Sequence, residues 1–210
     1  MKLECVTTIV LCGLWAGLSG CKSHPARFYA LAATCAQTQS ALTVSVAVGP
    51  VSIPSAVDNP RIVLSVAQNE LKPDEYNRWA APLQEEIART VAANLVMLLG
   101  TDRVTLATNT SGPIPDYRSS IEVDRFESML GQQVTIEAAW TLRRTADGAV
   151  HTGRTIARGN VAGNEFRALA AAHSRALEQV SEDIARAVRD FDLSNSETEK
   201  TRPAQPTKDP

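Results

Sequence analysis

The apolar positions of this chain change period several times, and each change marks a predicted element. Val44, Val46 and Val48 alternate with Ser45 and Ala47, the period of two that gives a strand one buried face. Ile62-Val63-Leu64-Ser65-Val66 reads as a second strand, and Pro54, Asp58, Asn59 and Pro60 punctuate the connection between them. The period then lengthens. Trp79, Leu83, Ile87, Val91, Leu95 and the Leu98-Leu99 pair recur every three or four residues, which is one apolar stripe of a helix. Pro82 suits its first turn, Glu85 and Glu86 sit near its positive amino end, and Gly100 is a natural stop.

Beyond the helix, Val104 to Ala107 predicts a short strand, and Tyr117 to Phe126 another with Ile121 and Val123 on one face. Val134, Ile136, Ala138, Trp140 and Leu142 then alternate strictly with Gln133, Thr135, Glu137, Ala139 and Thr141. Asp147-Gly148 is a strong hairpin turn, leading to a return strand near Val150 to Val161. Asn164 can cap a last helix whose stripe is Phe166, Leu169, Ala176, Leu177, Val180, Ile184, Val188 and Phe191. The predicted order is β-β-α-β-β-β-β-α. Two amphipathic helices and a mostly antiparallel sheet predict an α+β fold, a two-layer sandwich over residues 28–191. Trp79, Leu83, Ile87 and Trp140 are expected in its core.

The ends read differently. Residues 5 to 19 form an apolar run too short to span a bilayer comfortably, since spanning takes roughly 20 apolar residues. A cleavable export signal over residues 1–20 fits its length. The run ends in Leu18-Ser19-Gly20-Cys21, which resembles the lipobox of bacterial lipoproteins. Small residues at Ser19 and Gly20 admit a peptidase that cuts between Gly20 and Cys21. The Cys21 thiol then carries diacylglycerol, and its freed amine takes a further acyl chain. Two lipid signals suffice for stable anchoring. Lys22 after the lipid site, by resemblance to enterobacterial lipoproteins, favours the periplasmic face of the outer membrane. Residues 21–27 form a short lipidated tether. Residues 192–210 hold three prolines and many charges and are expected to be a disordered tail.

Composition narrows the function more than it points to one. The formal charge is −2, and no basic stripe argues for nucleic acid. Cys5 and Cys12 leave with the signal and Cys21 is lipidated, so Cys35 has no intramolecular disulfide partner. His24, His151 and His173 lack metal-ligand spacing, and His173 falls at helical spacing from Leu169 and Leu177, a flank of the core. Neither a nucleophile elbow nor a phosphate-binding loop occurs. Glu85 and Glu86 are adjacent on a helix and so do not face each other as acid and base. No catalytic set, metal or cofactor is expected. Trp79 and Trp140 fall on apolar faces, which favours packing over a lipid pocket.

The pieces Phe28-Tyr29-Ala30-Leu31, Val48-Gly49-Pro50-Val51-Ser52-Ile53-Pro54, Asp58-Asn59-Pro60-Arg61-Ile62-Val63 and Arg78-Trp79-Ala80-Ala81-Pro82-Leu83 stand in order along the chain. Leu98-Leu99-Gly100, Asp124-Arg125-Phe126-Glu127 and Ala139-Trp140-Thr141-Leu142 follow. In this order they resemble the ABC-type transport auxiliary lipoprotein family, the paraquat-inducible lipoprotein C-like proteins, over roughly residues 28 to 190. Ala56-Val57 stands where that family usually has Tyr-Leu, and Ala81 where an acidic residue is common. The resemblance implies a non-enzymatic outer-membrane component of a system that moves phospholipids between membranes. Its partner would be a tunnel protein with mammalian-cell-entry domains. The loop holding Pro54, Ala56, Val57, Asp58 and Pro60 is a candidate docking surface, with Val57 expected exposed, and a homo-oligomeric ring would match a ring-shaped tunnel. The other readings are a free-standing lipid- or solute-binding lipoprotein and an envelope assembly scaffold.

Overall fold

The computed structural model describes residues 24–38, 41–107 and 112–201. The predicted signal and the lipid site at Cys21 lie outside the described residues. The fold is α+β, with two helices and two mixed, mostly antiparallel sheets. A five-stranded sheet has the order β5-β2-β6-β7-β8. Its strands are β2 (Val46–Ser52), β5 (Val104–Leu106), β6 (Tyr117–Ser128), β7 (Gln133–Arg144) and β8 (Val150–Asn160). β5 and β6 run parallel to β2, and β6, β7 and β8 form an antiparallel meander. A smaller sheet has the order β1-β4-β3, built from β1 (Arg27–Tyr29), β3 (Arg61–Ala67) and β4 (Glu70–Trp79).

The helices, α1 (Leu83–Leu99) and α2 (Phe166–Thr201), pack side by side on one face of the large sheet. The strict alternation of β7 decides which face. Val134, Ile136, Ala138, Trp140 and Leu142 are buried against the helices, while Gln133 and Arg143 face water. The stripe of α1, Leu83, Ile87, Val91, Leu95 and Leu99, is buried, and so is that of α2 from Leu169 to Val188. Gly100 ends α1 in the left-handed conformation, with φ 64°. The Asp147-Gly148 hairpin forms as its residues dictate. Gly148 takes a φ of 74°, the Ala149 N–H donates to Asp147 Oδ1 at 3.0 Å, and Arg144 pairs with Asp147 at 2.6 Å.

Along the chain, the bounds of several elements depart from the sequence pattern. Trp79 ends β4 and does not open the helix; Pro82 precedes the helix as its cap, and its carbonyl accepts from the Glu85 and Glu86 N–H groups. β4 went unpredicted because ELKPDEYNRW carries Pro73 and five charges and is largely exposed, so it has no buried alternation to read. β1 is three residues long, below any periodic signal. Helix α2 starts after Glu165, whose carbonyl accepts from Leu169 N–H, while the Asn164 side chain lies against Gly131. Finally, α2 stays helical to Thr201, past Asp192 where a tail was expected. Ser, Glu, Thr and Lys cost a growing helix little once its preceding turns are docked on a sheet.

Candidate functional site

The proline-bracketed loop between β2 and β3 is a pair of tight turns. Val57 N–H donates to the Pro54 carbonyl at 3.0 Å, and Asp58 N–H to the Ser55 carbonyl at 3.3 Å. Arg61 N–H donates to Asn59 Oδ1 at 2.9 Å, and Trp79 N–H to the Pro60 carbonyl at 2.9 Å, which ties the loop to β4. Val57 is buried in the core, not exposed as its setting among turn residues suggested. The turn folds it inward as a plug, because leaving its apolar side chain in water gains nothing. The loop therefore presents Ala56, Asp58 and Pro60, with Pro54 half-buried.

The chain leading from the predicted lipid site crosses the helices as an extended strap. Leu31 and Cys35 are buried beneath it. Four of its donors are met by side chains of the two helices. Leu31 N–H donates to Glu86 Oε2 at 2.9 Å and Thr34 N–H to Asn94 Oδ1 at 3.2 Å, both on α1. Ala32 N–H donates to Ser174 Oγ at 3.1 Å, and Thr34 Oγ1 to Glu178 Oε2 at 2.6 Å, both on α2. Asn94 is fully buried and also donates from Nδ2 to Ser181 Oγ at 3.1 Å, so one amide joins the strap and both helices. Sequence periodicity missed this cluster because a polar residue on an apolar stripe reads as an interruption, not as a contact. Asn94→Leu should leave the Thr34 N–H and Ser181 without that partner and cost about 1–3 kcal/mol. Its denaturation midpoint should fall, and amide exchange at Leu31 to Cys35 should accelerate.

The chemistry of the remaining candidates follows from their surroundings. Glu85 and Glu86 separate. Glu85 is exposed and pairs with Arg89 at 3.2 Å, whereas Glu86 is buried and holds the strap. The Cys35 thiol is pushed up to about 12 by burial and by Glu178 and Glu182, so it is not a reactive thiolate. Trp79 packs edge-on against Phe126 and His173, and both indoles are buried in the core. An open groove of about 520 Å³ runs between the end of β2 and the start of α1, lined by Val48, Pro50, Val51, Ala88 and Leu106 among others. Among the described residues, no group of three or more His, Cys, Asp or Glu could hold a metal ion.

His173 is fully buried. Its ring stacks on Phe126 with centroids 4.0 Å apart, and Nε2 lies 2.8 Å from Ser128 Oγ. Burial lowers its pKa to about 3. An unfolded chain binds a proton there below about pH 6.5, and the native state does so only near the lowered value. Stability should therefore fall as pH drops from about 6.5 towards 3, by up to about 1.4 kcal/mol per unit. His173→Gln should flatten that part of the pH–stability curve measured by urea denaturation. An unchanged slope would place the titration elsewhere.

Compared with known proteins, the chain matches the family described as ABC-type transport auxiliary lipoprotein component over residues 29–185. No curated protein matches it in sequence. Among solved structures it is similar to protein XCC0632 from Xanthomonas campestris, at 22% identity and a TM-score of 0.68, over 82% of this chain and 99% of that one. A second, uncharacterised protein aligns with a TM-score of 0.65 at 18% identity, over 79% of this chain and 99% of the other. At these identities the likeness concerns the fold.

Proposed function

Since the chain belongs to the ABC-type transport auxiliary lipoprotein family and is an auxiliary component of ABC-type transport, we propose that it is the lipid-anchored outer-membrane end of an intermembrane lipid transporter. The family match carries this reading, and an auxiliary role implies a non-catalytic one. In the proposal Cys21 holds the acyl chains, the strap transmits their position to the helices, and the folded domain docks on a tunnel protein with mammalian-cell-entry domains. Copies of the chain form a ring that matches the tunnel's symmetry. The loop's exposed residues, Ala56, Asp58 and Pro60, offer the rigid docking surface, since a turn pinned by four backbone–backbone hydrogen bonds loses little freedom on binding.

The test is photocross-linking in cells from positions 56 and 58, with position 57 as the internal control. Adducts with the tunnel protein or a neighbouring copy from 56 and 58, and none from buried 57, are expected. A domain that stays monomeric in light scattering and yields no adducts would refute docking through this loop. Adjacent genes for a mammalian-cell-entry-domain protein and a permease or ATPase would support the same system. The competing reading, a lipoprotein that carries cargo inside its own fold, requires a lipid to co-purify and to be displaced by filling the groove beside α1.

A further inference from the structure

The small sheet carries four of the large apolar side chains exposed in the described residues, namely Phe28 at 63%, Val66 at 47%, Leu71 at 49% and Tyr76 at 38%. One transverse row of that sheet is unusual. Phe28 on β1 is the register partner of Arg78 on β4, and Arg78 is the partner of Arg61 on β3. Register partners point to the same face. Phe28, Arg78 and Arg61 therefore stand side by side, on the face opposite the inward-facing Tyr29–Trp79 pair.

Two arginines directly opposite each other on neighbouring strands repel. Among the described residues neither takes part in an ion pair, and Arg78 Nε is buried without a hydrogen-bond partner. Asp74, four residues before Arg78 on β4, is committed elsewhere. Asp74 accepts from the Tyr76 N–H at 2.9 Å and from the Asn77 N–H and Nδ2 at 2.7 Å each, and these bonds hold its carboxyl below the usual range. The row thus combines two guanidinium groups that have no ion-pair partner among the described residues with an exposed aromatic ring. Guanidinium matches phosphate oxygens, and aromatic rings settle at the level of lipid headgroups.

The position of the row identifies the occupant. The chain from Cys21 reaches β1 at Arg27, a span of at most about 20 Å when extended. On the way, the His24 ring passes 5.5 Å from that of Tyr76. We propose that this row is a membrane seat. Arg61 and Arg78 bind phospholipid phosphates of the leaflet that holds the anchor, and Phe28 and Tyr76 enter its headgroup layer, fixing the tilt of the domain. The seat rests on the reading of Cys21 as the lipid site, because the anchor is what brings this face to that leaflet.

A polarity-sensitive fluorophore on Glu75→Cys, beside the row, tests it; a second on Ile156→Cys, on the edge strand of the large sheet, is the reference. Cys35 is buried with a raised pKa and does not compete for the label. The purified protein is reconstituted in phosphatidylethanolamine–phosphatidylglycerol vesicles containing nitroxide-headgroup lipid. Several-fold stronger quenching at 75 than at 156 is expected. The surface changes Phe28→Ser and Arg61→Glu should each bring the ratio towards one while the protein still floats with the vesicles. Equal quenching at the two positions overturns the seat and leaves the row to a protein surface. The anchor is read separately from intact mass. Were the acyl chains missing, the anchor that brings this face to the leaflet would be missing too, and the seat would fall with it; equal quenching on the acylated protein overturns the seat alone.

Discussion

Trp140→Ala should destabilise the domain by about 3–5 kcal/mol, the range for truncating a large buried aromatic. The indole joins three elements. It is buried on β7, its Nε1 donates to Thr155 Oγ1 on β8 at 3.2 Å, and that hydroxyl donates to Asp183 Oδ2 on α2 at 2.6 Å. Its ring lies flat over Gly153, its register partner, so closely that a Cβ at 153 would sit 2.1 Å from Trp140 Cζ2. Alanine at 140 therefore removes packing on both sides and leaves a cavity that the paired backbones of β7 and β8 cannot close. Gly153→Val should act through the opposite fault, overpacking, and push the same ring off its seat. Urea denaturation reads both, with Trp79 left as the reporter in Trp140→Ala. A midpoint unchanged in Trp140→Ala would mean that the ring is not part of the core.

What the sequence made legible depended on how each element is buried. β7 and the two helices have one wet and one dry face, so their periods show directly, and Leu83, Ile87 and Trp140 fall where their spacing put them. β4 and β1 are held by pairing in a largely exposed sheet, and pairing leaves no hydrophobic period behind. The same reason hid the division into two sheets. Trp79 kept helical spacing with Leu83 by coincidence, since the chain turns at Ala80 to Pro82 between them. At the loop, composition suggested surface, and Val57 could be recognised as an inward plug only once the turn closed around it. Asn94 and Glu86 show the converse. A polar side chain on an apolar stripe marks the place where an irregular strap needs its backbone donors met, and which strap it serves depends on contacts far along the chain.

Cys21→Ala should mislocalise the protein without unfolding it. In the proposed anchor, each buried methylene of an acyl chain contributes about 0.8 kcal/mol, and one chain alone binds reversibly while two hold firmly. The thiol is the acceptor on which the first two chains depend, and cleavage before residue 21 follows its modification, so alanine should remove all the chains at once. The expected product is an uncleaved precursor whose intact mass still includes residues 1–20 and lacks acyl additions. Its apolar run falls short of the roughly 20 residues that span a bilayer, so only weak retention should remain. The folded domain starts at β1, and its fixed points, the pairing with β4 from Arg27 onward, Tyr29 O to Ala80 N at 2.8 Å and the strap bonds from Leu31, lie downstream of the change. The urea midpoint should accordingly match that of the wild-type domain, while outer-membrane fractionation is lost and transport with it. A Cys21→Ala chain that still fractionates with the outer membrane, with a wild-type mass profile, would refute lipidation at this residue. A lowered midpoint would instead tie residue 21 to the fold.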